Sequence, residues 1–201
     1  KRLISEALMD EVNADFGQDA RKRMVEWQDL YQASLNLPEL EKLEQVNLFF
    51  NQLRFLSDQK HWGLEDYWAS PVEMIGTNGG DCEDFVIAKY FTLRSLGVEV
   101  EKLRITYVKA LRLNQAHMVL TYFPTPDAVP LVLDNLTSHI MSASKRRDLA
   151  PVYSFNGKQL WLNKEKGQGI LAGKSQRLKR WSNLNQRMGV SSMMQPKLSL
   201  E

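Results

Sequence analysis

Cys82 is the single cysteine of this 201-residue chain, and it is crowded by acids in Gly79-Gly80-Asp81-Cys82-Glu83-Asp84. Thiol nucleophiles react as thiolates. At a helix N-terminus, unpaired backbone N–H groups and the helix dipole favour that form and lower the pKa below its free value of about 8.5. An apolar run from Cys82 to Leu96 predicts such a helix, and Gly79-Gly80 lets the backbone enter it through conformations closed to other residues. The Cys82 amide can then point at a developing oxyanion. A thiol nucleophile also needs a base, and the base an orienting partner. His117 and Asp134 lie on the inward faces of two candidate neighbouring strands and suit those roles. A buried Asp within Leu131-Val132-Leu133-Asp134-Asn135-Leu136 is costly alone, so it calls for a partner. Each residue also has a plainer account: a buried apolar thiol, a core histidine, a strand-end turn residue. The order Cys, His, Asp is more specific than any member. His61 precedes the cysteine in a loop and His139 follows Thr137-Ser138 in a predicted turn; both compete as the base from less clear positions.

Asp81, Glu83 and Asp84 admit two readings. Acids in a first helical turn complement the dipole by about 0.3–1 kcal/mol each. Three carboxylates beside a nucleophile, however, disfavour its thiolate and repel one another. A hard cation removes that conflict. Asp81 and Asp84 reach one side of the turn, and oxygen-only ligands suit Ca²⁺, with residues 62–78 completing the shell.

The elements that must position these groups follow from periodicity. Residues 1–60 read as helical: Ala20, Met24, Trp27, Tyr31 and Ser34 form one stripe, and Leu40, Leu43, Val46, Phe50 and Leu53 another, with Gly17 and Pro38 as punctuation. Residues 58–80 read as a long, aromatic-rich loop carrying His61, Trp62, Tyr67 and Trp68. Alternation predicts strands at 103–110, 116–122 and 131–136. Asn156-Gly157 predicts a hairpin joining 152–155 to 158–162. Lys145-Arg146-Arg147 reads as a solvated basic loop, 167–173 as glycine-rich, 175–188 as a short basic amphipathic helix docked through Leu178, Trp181 and Leu184, and 189–201 as a mobile tail. The order is that of an α+β fold, with N-terminal helices and a central Cys-bearing helix packed on an antiparallel β-sheet. One domain spanning 1–201 is expected, with 61–165 as its catalytic core.

Composition bounds the rest. A hydrophobic share of 43%, a charged share of 25% and a net charge of +2 describe an ordinary globule and make no case for nucleic acid. A lone Cys forms no internal disulfide, and no apolar run is long enough to span a membrane. Lys1 reads as the start of a processed or trimmed chain.

The residues Tyr67-Trp68-Ala69-Ser70-Pro71, Gly79-Gly80-Asp81-Cys82-Glu83-Asp84-Phe85, Ala88-Lys89-Tyr90-Phe91, Ala116-His117-Met118-Val119 and Leu133-Asp134-Asn135 resemble the bacterial transglutaminase-like cysteine proteases of the LapG type, over roughly residues 20 to 165. The resemblance implies a papain-like, transglutaminase-type core with Cys82 as nucleophile, His117 as base and Asp134 as its orienting partner. It assigns Asp81, Glu83 and Asp84 to calcium. It also implies a periplasmic, Ca²⁺-dependent endopeptidase that cuts the N-terminal region of a large biofilm adhesin at a di-alanine site, held in check by the periplasmic domain of an inner-membrane cyclic-di-GMP receptor. Two other functions fit the same core: acyl transfer onto an amine, as in a true transglutaminase, and a non-catalytic peptide-binding module.

Overall fold

The computed structural model describes residues 2–163 and 169–190. Three helices open the chain: α1 (Glu6–Phe16), α2 (Gln18–Ser34) and α3 (Glu39–Asn51). The Ser5 hydroxyl accepts the Leu8 N–H at 3.2 Å and caps α1, and Gly17, at φ 89°, separates α1 from α2. Every residue of the predicted α2 stripe is buried. On α3, Leu43, Val46 and Phe50 are buried, but Leu40 lies exposed in the first turn, just after Pro38 at the N-cap.

Residues 58–80 are not the patternless loop their aromatics suggest. They hold α4 (Asp58–His61) and α5 (Pro71–Thr77), and Gly79–Gly80 forms strand β2, which pairs in parallel with β1 (Arg54–Phe55). Helices this short show no period. Yet α5 had a legible start, because Ser70-Pro71-Val72-Glu73 closes a capping box with proline in the first turn. The Ser70 Oγ accepts the Glu73 N–H at 3.1 Å, and Glu73 Oε1 accepts the Ser70 N–H at 3.0 Å.

Helix α6 (Cys82–Ser95) is buried on nearly all sides, as its apolar run requires. It packs between α3 and a seven-stranded antiparallel sheet. The strands are β3 (Leu103–Ala110), β4 (Gln115–Tyr122), β5 (Leu131–Asp134), β6 (Thr137–Ser142), β7 (Leu149–Phe155), β8 (Gln159–Leu162) and β9 (Ile170–Lys174), in the order β6-β5-β4-β3-β7-β8-β9. Met118, Leu120 and Leu133 face α6 and join the main core. The β7–β8 hairpin turns at Asn156-Gly157 as expected.

Two strands of the seven-stranded sheet escaped the sequence reading. His139 lies in β6, not in a turn, and the glycine-rich stretch continues from its described residues into β9. β6 alternates weakly because both its faces are only partly buried. The predicted C-terminal helix begins later, as α7 (Lys179–Val190) after a tight turn at Ser175–Arg177. Its stripe docks as expected: Trp181 stacks on Phe91 at 5.6 Å, and Leu184 is fully buried. Of the predicted tail, residues 191–201 lie outside the described residues, as do 167 and 168 of the glycine-rich stretch. Among the described residues no helix is long and apolar enough to cross a membrane.

Candidate active site and acidic cluster

Cys82 is the first residue of α6, where amide groups have no intrahelical acceptor. The two glycines before it are sterically required. A Cβ on Gly79 would sit 2.6 Å from the Arg54 carbonyl oxygen, and one on Gly80 would sit 2.6 Å from both Cβ and Oδ2 of Asp84. β5 ends at Asp134, which leaves the neighbouring edge of β4 open at Met118. The sulfur sits against that edge and accepts the Met118 backbone N–H, one residue from His117. On its other side the thiol donates to Glu83 Oε2 at 3.0 Å. Burial first, then the Glu83 and Asp81 carboxylates, push the Cys82 thiol well above its ordinary range.

His117 and Asp134 meet as their strand faces predicted. His117 Nε2 lies 2.7 Å from Asp134 Oδ1, and both side chains are buried. Asp134 accepts there, so Nε2 carries the proton and Nδ1 keeps a lone pair. The Leu136 N–H donates to the same Oδ1 at 3.1 Å, and Arg146 Nη2 donates to Oδ2 at 2.8 Å. Burial opposes the Asp134 anion, but the His117, Leu136 and Arg146 donors outweigh it and hold the carboxyl below the usual range. From the helical side, Asn51 Nδ2 donates to the Asp134 carbonyl at 3.0 Å and accepts at Oδ1 from Lys89 Nζ at 2.7 Å. Lys89 is fully buried, and desolvation lowers its pKa to about 7 against the opposing pull of Asp134.

The competing histidines are engaged elsewhere. His61 Nε2 contacts Thr77 Oγ1 at 2.8 Å, its ring stacked on Trp62 at 4.0 Å. His139 is exposed. Arg146 corrects the reading of 145–147 as a solvated loop: it is only 7% exposed. Three adjacent basic residues mask the one that turns inward, and the partner demanded by buried Asp134 was its only sequence signal.

The acids divide. Asp81 and Asp84 converge with Asp58 of α4, their ligand oxygens all within 4.8 Å of one another, while Glu83 is engaged with the thiol. Sequence reasoning missed Asp58, which carries no motif and lies on the far side of the 62–78 segment. Asp84 Oδ1 accepts the Ala69 N–H at 2.7 Å and Oδ2 the Asp81 N–H at 3.1 Å; Asp58 Oδ2 accepts the Tyr67 N–H. Asp58 Oδ1 and Asp81 Oδ1 are buried and have no hydrogen-bond partner. Burial, followed by mutual repulsion, raises the pKa of Asp81 strongly. Burial also raises those of Asp84 and Asp58, with neighbouring acids adding to it against their backbone donors. An oxygen-only cage with two orphaned buried oxygens has the donor set of a hard-cation site.

Comparison with known proteins identifies the family. The family model of the bacterial transglutaminase-like cysteine proteinases matches residues 14–159. The solved structure of EGTA-treated LapG from Legionella pneumophila is 47% identical, with a TM-score of 0.82 over 93% of this chain and 99% of that one. Its calcium-bound form is likewise 47% identical, with a TM-score of 0.79 over 92% and 99%. No curated protein sequence matches the chain. A Cys-led helix on an antiparallel sheet, the family match and the LapG likeness together place this chain in the bacterial transglutaminase-like cysteine proteinase family, with the transglutaminase-like fold of its relatives.

Proposed function

We propose that this chain is a calcium-dependent cysteine endopeptidase whose triad is Cys82, His117 and Asp134. One observation carries the reading: the His117 Nε2–Asp134 Oδ1 contact is buried, and the Cys82 sulfur rests on the amide next to His117. His117 Nδ1 takes the thiol proton as Sγ attacks the scissile carbonyl. The oxyanion lies towards the Cys82 amide at the start of α6. His117 then returns the proton to the leaving amine, and water hydrolyses the acyl-enzyme. Asp134 holds the imidazole in its productive tautomer and stabilises the imidazolium.

Asp58, Asp81 and Asp84 are the residues that would hold calcium. Glu83 borders them and completes the expected acidic run. The calcium-bound and EGTA-treated relatives support the metal assignment. Calcium held there would supply positive charge near the start of α6 and offset the acids that keep the thiol protonated.

The family resemblance carries the biology of this reading. The substrate is the N-terminal region of a large surface adhesin, cut at a di-alanine site. The compartment is the periplasm, and restraint comes from the periplasmic domain of an inner-membrane cyclic-di-GMP receptor. Incubation with an adhesin N-terminal fragment, with and without EGTA, tests the protease, its substrate and its metal. Two peptides that appear only with free Ca²⁺ are expected. A crosslinked product would assign acyl transfer instead, and no product at all would leave a binding module.

A further inference from the structure

Arg146 is a buried charge that the mechanism does not use. Arg146 emerges beyond β6, and its Nη2 is the donor on Asp134 Oδ2, at 2.8 Å. It is itself held by Asp148, which accepts from Nε at 3.1 Å on Oδ1 and from Nη2 at 3.0 Å on Oδ2. A guanidinium held along one edge by a bidentate carboxylate presents a rigid donor to another. Asp134 Oδ1 already receives His117 and Leu136, so the rotation of its carboxylate depends on what holds Oδ2. We infer that Arg146 is a positioning residue for the reaction: it clamps Asp134 so that Oδ1 faces His117, and Asp148 in turn orients Arg146. The inference rests on the triad reading and adds a fourth and a fifth member to its chain of contacts.

Solvent can reach this clamp. Arg146 lines a cavity of about 540 Å³ on the face of the sheet opposite α6, floored by Val108, Val119 and Val132. Removal of the side chain to Cβ therefore opens a space next to Asp134 that a small guanidinium can enter.

The test is steady-state kinetics on a peptide substrate at saturating Ca²⁺, with melting curves for every variant. Arg146→Ala is expected to lower kcat by about 10- to 100-fold, the scale of a misplaced catalytic group, with KM within about twofold. Millimolar methylguanidinium, well below denaturing concentrations, should restore at least part of that kcat and leave the parent enzyme unaffected. Arg146→Lys, which keeps one donor and the charge, should fall between. Should Arg146→Ala fail to fold, Asp148→Asn decides: it preserves shape, loosens the guanidinium, and should lower kcat severalfold at unchanged KM. Full kcat in Arg146→Ala overturns the inference. So does a loss that neither methylguanidinium nor Arg146→Lys repairs, or, where Asp148→Asn decides, an unaffected kcat. Cys82→Ala separates this failure from that of the underlying reading, because an active Cys82→Ala enzyme removes the triad itself.

Discussion

Two sets of buried charges lie on either side of Cys82, and the protein treats them in opposite ways. Around Asp134, every carboxylate oxygen has a donor from the chain itself, and its acid is pulled down. Around Asp81, two carboxylate oxygens have none, and the acids are pushed up. Burial opposes the carboxylates on both sides, and the sides differ in whether the chain supplies the counter-charge. The first set is complete when the chain has folded. The second is complete only when something cationic arrives.

The sharpest way to break this contrast is at the sulfur between the two sets. Cys82→Ala should lower cleavage by more than about 10³-fold while circular dichroism and the calcium-loaded melting temperature stay unchanged, because the nucleophile has no substitute in the chain. The self-sufficient side comes next. Asp134→Asn should cost about 10²–10⁴-fold in kcat by favouring the wrong His117 tautomer, read out as a kcat loss with little change in KM. Added calcium should not repair it.

The dependent side should respond to the ion instead. At a calcium concentration of about 100 times Kd, binding adds about 2.7 kcal/mol, which for a chain this long is a melting shift of about 5–10 °C that EGTA abolishes. Asp58→Asn should narrow that shift from both ends: the calcium-loaded form melts lower and the metal-free form higher, because a ligand and a repelling charge disappear together. Equal melting of parent and Asp58→Asn in both states would remove Asp58 from the cluster.

Lys89 offers the smallest test. Its folded-state pKa of about 7 lies below the ordinary lysine value, so the unfolded chain binds the extra proton between those limits. Lys89 therefore contributes stability at high pH that is lost as pH falls towards 7. Melting temperature should rise from pH 7 to 9, and Lys89→Met should flatten that part of the rise, up to about 1.4 kcal/mol per pH unit.

What was legible in the sequence follows the same division. Helix α2 declared itself because a long period survives local noise, α6 because its apolar run is long and unbroken, and His117 and Asp134 because a two-residue period assigns a face directly. The short α4 and α5 could not show a period, although Ser70 and Glu73 marked the start of α5. β6 stayed hidden because half-buried strands alternate weakly. Asp81 and Asp84 were visible as neighbours in sequence. Asp58 and Arg146 were not, since each joins its site through tertiary contact alone. Glu83 looked equivalent to its neighbours, yet the turn of the helix aims it at the thiol.

Gly80 has no functional group to lose, yet any side chain there would begin 2.6 Å from Asp84. In a saturation scan scored by proteolytic activity, position 80 should tolerate as few replacements as position 82. A screen that ranks residues by mutational sensitivity would then count this glycine among the catalytic ones, and only its chemistry would tell them apart.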